Sequence, residues 1–206
     1  MADDHKIVLE GLRSLLEPEF ELVGMAEDGR TFLRMAEKLQ PDVTVVDISM
    51  PLLNGIEAAR QIKEINPNIK IVFLTMHPDV NYAYRAFEVG ASGYVLKHSA
   101  PSELVSAIQA AMKGQIYITP AIAGELMQSY KEGGQFQEKT TAELTHRQRE
   151  VLQLLAEGHS SREIADLLCI SPRTVEYHKY KMMEELGIKT SSELVGYAIK
   201  HGIVTI

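Results

Sequence analysis

Acidic, hydroxyl and basic side chains stand at the ends of apolar runs in the first half of the chain. Asp47 closes the β-branched run 42–48, Thr75 stands near the end of the run 70–76, and Lys97 ends the run 93–97. The pair Asp3-Asp4 comes just before the first helical pattern. The carboxyl ends of parallel strands share one edge of a sheet, and ligands bind there in open α/β folds. These side chains are therefore expected to meet at one site.

Three carboxylates brought together repel one another unless a cation neutralises them. Mg²⁺ suits this role because it prefers oxygen ligands and keeps several waters. The histidines nearby, His5 and His77, suit metals that prefer imidazole and fit an oxygen-rich site less well. Asp47 could attack phosphorus and form an acyl phosphate. Lys97 would then bring a positive charge, and Thr75 a hydroxyl, to the phosphoryl oxygens.

The elements that must position this site alternate between two patterns. Apolar runs at 20–24, 42–48, 70–76 and 93–97 predict strands buried on both faces. Amphipathic patterns at 6–16, 28–40, 54–66, 79–90 and 101–113 predict helices, punctuated by glycine and proline. Such alternation predicts a parallel sheet covered by helices on both faces.

The rest of the chain contains helical patterns and a linker. A short helix is expected within 116–131, after Pro120, and the polar, Gly-Gly-containing stretch 132–141 is the best linker candidate. Residues 145–206 contain no strand pattern and predict four helices, with Thr145 and Ser171 as N-caps. A tight turn at 169–172 joins the second and third of them, as in a DNA-reading helix-turn-helix. The predicted domains are 1–115, a linker at 116–143, and 144–206.

The first module resembles the receiver domain of two-component response regulators. The match covers residues 3 to about 113 and rests on the acidic pair, on Asp47 followed by Met50-Pro51 and Asn54-Gly55, on Thr75, and on Lys97 preceded by Tyr94. The resemblance implies that Asp47 is the phosphoacceptor and that Tyr94 is an aromatic switch coupled to Thr75. It also implies a Mg²⁺ site with these members: Asp4 and Asp47 as direct ligands, Asp3 acting mainly through water, and the backbone carbonyl of Ser49.

One departure from this family concerns the first strand of the sheet. Receivers begin with a central apolar strand before the acidic pair, whereas only Met1 and Ala2 precede Asp3 here. Neighbouring strands would lose backbone partners, each costing on the order of 1–3 kcal/mol if buried and unpaired. Three explanations stay open: a start codon upstream, a shortened chain, or a sheet that rearranges or pairs with another chain. The chain is expected to be less stable, and to take up phosphate less well, than a version with the strand restored.

The second module resembles a LuxR-type domain, so that the whole chain resembles a NarL/FixJ-subfamily response regulator. The match covers 144–204, and the motifs that carry it are 144–152, 158–160, 163–165, 170–178 and Leu186-Gly187. By resemblance, the third helix reads DNA. Helical spacing puts Val175, Met182 and Leu186 on its buried face. The candidate DNA-binding residues are Ser160, Arg173, Thr174, Glu176, Tyr177, His178, Lys179, Tyr180 and Lys181.

Within this set, two kinds of DNA contact are expected. Base edges are within reach of Glu176, Tyr177 and Tyr180, and a carboxylate at position 176 could accept a bond from cytosine N4. Phosphate contacts are expected from Arg173, Lys179 and Lys181 and from the hydroxyls of Ser160 and Thr174. The fourth helix pairs two DNA-bound copies in this family, which implies a homodimer on a site with two-fold symmetry.

The fold class expected for the chain is a flavodoxin-like, doubly wound parallel sheet with its first strand largely missing, followed by an all-α four-helix domain. The chain has 206 residues, of which 45% are hydrophobic and 24% charged. This composition excludes disordered and collagen-like classes. The one cysteine, Cys169, excludes an intrachain disulfide. No apolar run approaches the ~18 residues of a membrane span. We therefore expect a cytoplasmic protein without a membrane partner.

Three functions can be compared with these features. The leading one is a DNA-binding regulator, not an enzyme, that a cognate histidine kinase phosphorylates at Asp47 in the presence of Mg²⁺. An aspartyl phosphatase of the haloacid-dehalogenase type needs a second acid two residues after its nucleophile, and Ser49 stands at that position. The third is a phosphorylation-independent DNA-binding regulator whose incomplete receiver serves dimerisation. Phosphoryl uptake from a small phosphodonor separates the first function from the third.

Overall fold

A computed structural model describes residues 1–99, 101–131 and 144–204 of the chain. The chain divides into two compact units between residues 136 and 137. The predicted linker at 132–141 lies outside the described residues, so the sequence-based domain boundaries stay predictions. Among the described residues, no helix combines the length and apolar character that crossing a bilayer requires.

The first unit is built on a parallel sheet. Its strands are β1 (Val43–Val46), β2 (Lys70–Thr75), β3 (Gly93–Leu96) and β4 (Tyr117–Ile118), and they lie in that order. All three neighbouring pairs are parallel. β1 to β3 are buried almost throughout because helices cover both faces of the sheet. This arrangement confirms the expected doubly wound architecture.

Within residues 1–99 and 101–131, six helices cover the two faces of this sheet, and each face has its own core. The helices are α1 (Lys6–Leu16), α2 (Gly29–Leu39), α3 (Gly55–Ile65), α4 (Val80–Glu88), α5 (Pro101–Met112) and α6 (Pro120–Lys131). Apolar residues of α2, α3, α4 and α6 share one core with Phe73 and Tyr94 of the sheet. Apolar residues of α1 and α5 share the other with Val72 and Val95. Successive strand residues alternate between the two cores, as the pleat of a strand requires.

The first residues of the chain occupy a central position in the sheet. Ala2 forms parallel bridges to Ala26 on one side and to Val46 on the other. Its N–H donates to the carbonyl of Val45 (2.8 Å), and its own carbonyl accepts the N–H of Asp47 (3.0 Å). The place of the first strand is thus held by one bridging residue, which fixes Asp3 beside the end of β1.

Two strand predictions differ from the structure. The segment 20–24 was predicted as a strand but is not one, and the bridge to Ala2 is made by Ala26, two residues beyond it. An extended segment counts as a strand only when a neighbour pairs with it along its length, and Ala2 supplies a single pair. Conversely, β4 was not predicted, because its two residues, Tyr117 and Ile118, are too few for a periodic pattern; they pair with Gly93 and Tyr94.

The second unit has four helices within 144–204: α7 (His146–Ala156), α8 (Ser161–Leu168), α9 (Pro172–Glu185) and α10 (Ser191–Lys200). Thr145 and Ser160 each begin a helix with a capping box, in which the side chain three residues on bonds back to the cap. Ser171 caps α9, with Pro172 at its first position. Val175 and Met182 of α9 are fully buried, as the helical spacing predicted. Leu186, predicted on the same face, is only half-buried because it is the C-cap, at the end of the helix. The four predicted helices are confirmed.

Candidate functional site

The fold brings four of the predicted residues to one edge of the sheet. Asp47 follows β1 directly, Thr75 ends β2, Lys97 follows β3, and Asp3 follows the bridging residue Ala2. Because these strands are parallel, the ends that carry the side chains lie next to one another. Asp3, Asp47 and Thr75 are all buried, with exposed fractions of 1%, 4% and 0%.

Lys97 joins the two buried carboxylates of this edge. Its Nζ lies 2.6 Å from Asp3 Oδ2 and 2.7 Å from Asp47 Oδ2. The other oxygen of Asp47, Oδ1, accepts the backbone N–H of Ile48 at 2.7 Å. Charge-assisted bonds of this length are strong and hold the groups they join in a fixed geometry. The arrangement presents a fixed carboxylate beside a fixed positive charge.

Burial and neighbouring charges act on this pair in opposite directions. Burial raises the pKa of the Asp47 carboxyl and the charge of Asp3 adds to this, although the bond to Lys97 opposes it. Burial alone would lower the pKa of Lys97, but the bonds to Asp3 and Asp47 outweigh it and raise that pKa. Lys97 is therefore a cation at neutral pH, and the negative charge at Asp47 is costly to keep in the free protein.

A close backbone approach fixes the loop that follows Asp47. A Cβ on Gly55, the first residue of α3, would lie 1.9 Å from the carbonyl oxygen of Asp47, so only glycine fits there. The preceding residue, Asn54, caps α3 by accepting the N–H of Glu57 at 2.9 Å. The Asn54-Gly55 pair noted in the sequence thus holds α3 against the phosphoacceptor candidate.

The acidic pair divides between the interior and the rim of the site. Asp3 contacts Lys97 inside, whereas the side chain of Asp4 is one-third exposed and lies 2.8 Å from Nδ1 of His5. Within the described residues, ligand atoms of Asp3, Asp4 and His5 lie within 4.8 Å of one another. Asp47 lies outside this group, and Lys97 contacts Asp3 and Asp47 but is not seen in contact with Asp4. The carboxylates of Asp3, Asp4 and Asp47 are the oxygen donors that Mg²⁺ prefers, so the chemistry of these side chains fits that ion.

Thr75 and Tyr94 meet through a residue that the sequence did not single out as functional, His77. The hydroxyl of Thr75 accepts the backbone N–H of His77 at 3.3 Å, and the hydroxyl of Tyr94 donates to the His77 carbonyl at 2.7 Å. Burial strongly raises the pKa of Tyr94, so its phenol stays protonated. The Ser49 side chain lies 2.7 Å from Nε2 of the same histidine. Only the position of His77, two residues after Thr75, could have signalled it.

A second candidate site is the outer surface of α9. Tyr177 and Tyr180 expose 58% and 62% of their area, large fractions for aromatic side chains. Lys181 lies over the Tyr177 ring at 5.9 Å, and Lys179 lies over the Tyr180 ring at 5.8 Å. Arg173 is also exposed, on the first turn. The helix thus presents aromatic faces next to positive charges, which suits a polyanion with flat bases.

The remaining candidates for DNA binding, on α9 and at the start of α8, make contacts within the second unit. The Glu176 carboxylate accepts a bond from the Ser161 hydroxyl of α8, which directs it toward α8. The Ser160 hydroxyl donates to Glu163 (2.7 Å), and that of Thr174 lies 2.8 Å from the Ser171 hydroxyl, so both serve helix caps. Burial and then the charges of Arg147 and Lys181 lower the pKa of His178. Their predicted roles toward DNA stay predictions.

Comparisons with known proteins match both units. The family profile of the response regulator receiver domain matches residues 1–109, and that of the bacterial regulatory proteins of the luxR family matches residues 142–198. The transcriptional regulatory protein DegU of Brevibacillus brevis is 34% identical, over 99% of this chain and 93% of its own. The oxygen regulatory protein NreC of Staphylococcus carnosus is 36% identical, over 97% and 95%.

Solved structures of similar sequence cover both units as well. RcsB of Salmonella enterica serovar Typhimurium, bound to promoter DNA in the presence of the phosphomimetic BeF₃⁻, is 32% identical, covers 95% of each chain and has a TM-score of 0.59. A structure of two RcsB dimers bound to two parallel DNAs is 31% identical, covers 99% of this chain and 96% of that one, and has a TM-score of 0.58.

Proposed function

The chain belongs to the NarL/FixJ subfamily of two-component response regulators, and on this basis we propose that Asp47 is its phosphoacceptor and that the phosphoryl group controls DNA binding by α9. Members of this family are transcriptional regulators with a DNA-binding domain and not enzymes. The observation that carries the proposal is the single lysine, Lys97, held within 2.7 Å of both Asp3 and Asp47.

The phosphoryl group would come from a phosphohistidine of a cognate histidine kinase. Asp47 Oδ2 attacks the phosphorus, an O–P bond forms, and the P–N bond to the donor imidazole breaks, which leaves an acyl phosphate on Asp47. Lys97 then exchanges its bond to Oδ2 for one to a phosphoryl oxygen. The hydroxyl of Thr75, the last residue of the neighbouring strand, would donate a bond to a second phosphoryl oxygen.

The same acidic residues would hold a metal ion. Receiver domains generally bind Mg²⁺ in their acidic pocket. Here Asp4, Asp47 and the Ser49 carbonyl would hold it directly and Asp3 through water. When bound, Mg²⁺ supplies positive charge to the phosphoryl oxygens. Asp4, at the exposed rim, is the ligand that is free to turn inward for this purpose, since its bond to His5 lies at the surface.

DNA binding is assigned to the outer face of α9. Arg173, Lys179 and Lys181 would contact phosphates, with the capping residues Ser160 and Thr174 and the ring of His178 beside them. Tyr177 and Tyr180 would meet base edges, where their rings can contact thymine methyl groups. Glu176 would reach a base only after it leaves Ser161. Because the relative RcsB binds DNA as dimers, we expect this chain to bind duplex DNA as a homodimer in the cytoplasm.

Phosphoryl uptake followed by intact mass tests this function. Incubation with Mg²⁺ and acetyl phosphate should add one phosphoryl group to the wild-type chain and none to Asp47→Ala. The matched control is Asp42→Ala, an exposed aspartate before β1, which should take up the group like wild type. Uptake by Asp47→Ala would assign the phosphoryl group to another residue. No uptake by the wild type would favour a regulator whose first unit serves dimerisation alone.

A further inference from the structure

His77 contacts more of the switching machinery than any role given above requires. Its backbone N–H and carbonyl bond to the hydroxyls of Thr75 and Tyr94, as described. Its imidazole lies 2.7 Å from the Ser49 hydroxyl, in the loop just after Asp47. The same ring stacks on Tyr82 of α4, with 4.2 Å between ring centroids and 17° between planes. One residue therefore touches both strand ends, the phosphoacceptor loop and α4.

The ring is held from two sides. Its Nε2 bonds the Ser49 hydroxyl at its edge, and its face stacks on Tyr82. An imidazole can make both contacts at once because the hydrogen bond lies in the plane of the ring and the stacking lies above it. The stacking partner, Tyr82, packs against the core that contains Ala83 of α4 and Ile122 of α6. A displacement of the His77 ring would therefore also displace Tyr82 and with it α4.

The packing of α4 determines which other helix a change at His77 can reach. α4 packs against α6, whose residues Ile122 and Leu126 belong to the same core. α6 is also the last helix described before the second unit begins. A change in α4 would therefore reach α6 through their shared core.

We propose that His77 is a positioning residue that couples the occupancy of Asp47 to α4 through its hydrogen bond to Ser49 and its stacking on Tyr82. The proposal rests on Asp47 being the phosphoacceptor. When the Thr75 hydroxyl turns to a phosphoryl oxygen, the His77 N–H loses its acceptor. Movement of the loop that contains Ser49 would displace the His77 imidazole at the same time, because the two are hydrogen-bonded. Both changes would then reach Tyr82 through the His77 ring that stacks on it.

Hydrogen exchange of the full chain, with and without BeF₃⁻ and Mg²⁺, tests the coupling. Two regions are followed: the loop 47–53, which reports occupancy of Asp47, and α4 (80–88), which reports the response. In the wild type both regions should change. In His77→Ala the loop should still change, whereas the response of α4 should fall by roughly 2- to 30-fold, the range found for residues that carry coupling.

Conservative variants separate the coupling from a loss of packing. His77→Phe keeps an aromatic ring on Tyr82 and loses the bond to Ser49, whereas His77→Gln keeps a group that can bond Ser49 and loses the ring. Gln should restore part of the α4 response that Phe lacks. Ser49→Ala removes the other end of the same bond, so Ser49→Ala and His77→Phe should not be additive.

The outcomes distinguish the assignment of Asp47 as phosphoacceptor from the coupling role of His77. If neither region of the wild type responds to BeF₃⁻ and Mg²⁺, the phosphoacceptor assignment fails. If the wild type responds and α4 of His77→Ala responds equally, the coupling role is overturned while the assignment stands. The coupling role is also overturned if the loop response is lost in His77→Ala, or if the effects of Ser49→Ala and His77→Phe are additive. Urea unfolding of each variant confirms that the folded fraction is matched.

Discussion

At Lys97 one ammonium group serves two buried carboxylates, and this arrangement sets both the charge and the stability of the pocket. The sequence predicted that Asp3, Asp47 and Lys97 would lie close together, because the ends of the apolar runs indicate where the strands end. It did not predict which member of the acidic pair would be buried, since neighbouring identical residues differ only in the direction of their side chains. It also missed the bond between Ser49 and His77, which depends on the conformation of two loops.

Replacement of Lys97 by methionine should destabilise the first unit. The change leaves Asp3 and Asp47 buried without their common partner, and removing one partner of a buried ion pair costs roughly 3–5 kcal/mol. Urea unfolding at neutral pH measures it. The control, Arg13→Met, breaks an ion pair of the same length, 2.7 Å, on the exposed face of α1 and should leave the midpoint unchanged. Equal shifts for the two variants would contradict the account.

Asp47 should also lower stability in a way that depends on pH. Its pKa is raised on folding, so the unfolded chain ionises first as the pH rises, and the folded state loses stability until the pH exceeds the folded pKa. Asp47→Asn removes this effect. The variant should therefore be more stable than wild type at neutral pH, and its advantage should shrink as the pH falls toward the unfolded pKa. Urea unfolding without divalent ions between acidic and neutral pH checks this; a constant difference would argue against it.

At the scale of elements, β4 and α6 belong to the first unit, although the hydrophobic pattern of the sequence ended that domain at residue 115. The Thr119 N–H donates to the Tyr94 carbonyl at 3.0 Å, and its hydroxyl accepts the Leu96 N–H at 3.2 Å, so α6 begins from a residue anchored on β3. The helices were predictable because their apolar stripes are long. The failed strand at 20–24 and the missed β4 show the converse, since pairing between distant segments leaves little local signal.

The docking of α6 should contribute to the stability of the first unit. Ile122 is 1% exposed in the core shared with α4, and truncation of a buried isoleucine to alanine costs about 2–4 kcal/mol. Met127 of the same helix is 69% exposed, so Met127→Ala is the matched control and should leave the urea midpoint unchanged. An unchanged midpoint for Ile122→Ala would mean that α6 is not part of this folding unit.

Two kinds of contact on α9 should be separable by salt. Lys181→Ala should weaken binding to every duplex and reduce the slope of log affinity against log salt by about one per DNA-bound subunit. Tyr180→Ala should leave that slope unchanged and reduce discrimination between duplexes. Fluorescence anisotropy titrations with a selected and a scrambled duplex, each at several salt concentrations, measure both. A smaller slope for Tyr180→Ala would move that residue from base contact to an electrostatic role.

At the scale of the whole molecule, the two units carry different chemistry and different charge. Residues 144–206 contain eight basic and eight acidic residues, so that the net charge of −7 resides in residues 1–143. The acidic unit suits a site for a cation and a phosphoryl group, and the neutral unit presents two lysines and two exposed tyrosines on α9. Both modules were evident from the sequence because each carries an ordered set of motifs.

The central claim is that the state of Asp47 sets the affinity of the second unit for DNA. The most direct measurement is duplex affinity of the full-length wild type, with a binding site selected from random DNA, with and without BeF₃⁻ and Mg²⁺, beside Asp47→Asn. The account predicts that affinity of the wild type changes by roughly 5- to 150-fold, the range of coupling between two sites, and that Asp47→Asn does not respond. Equal affinities of the wild type in both conditions, with BeF₃⁻ shown to be bound, would contradict it.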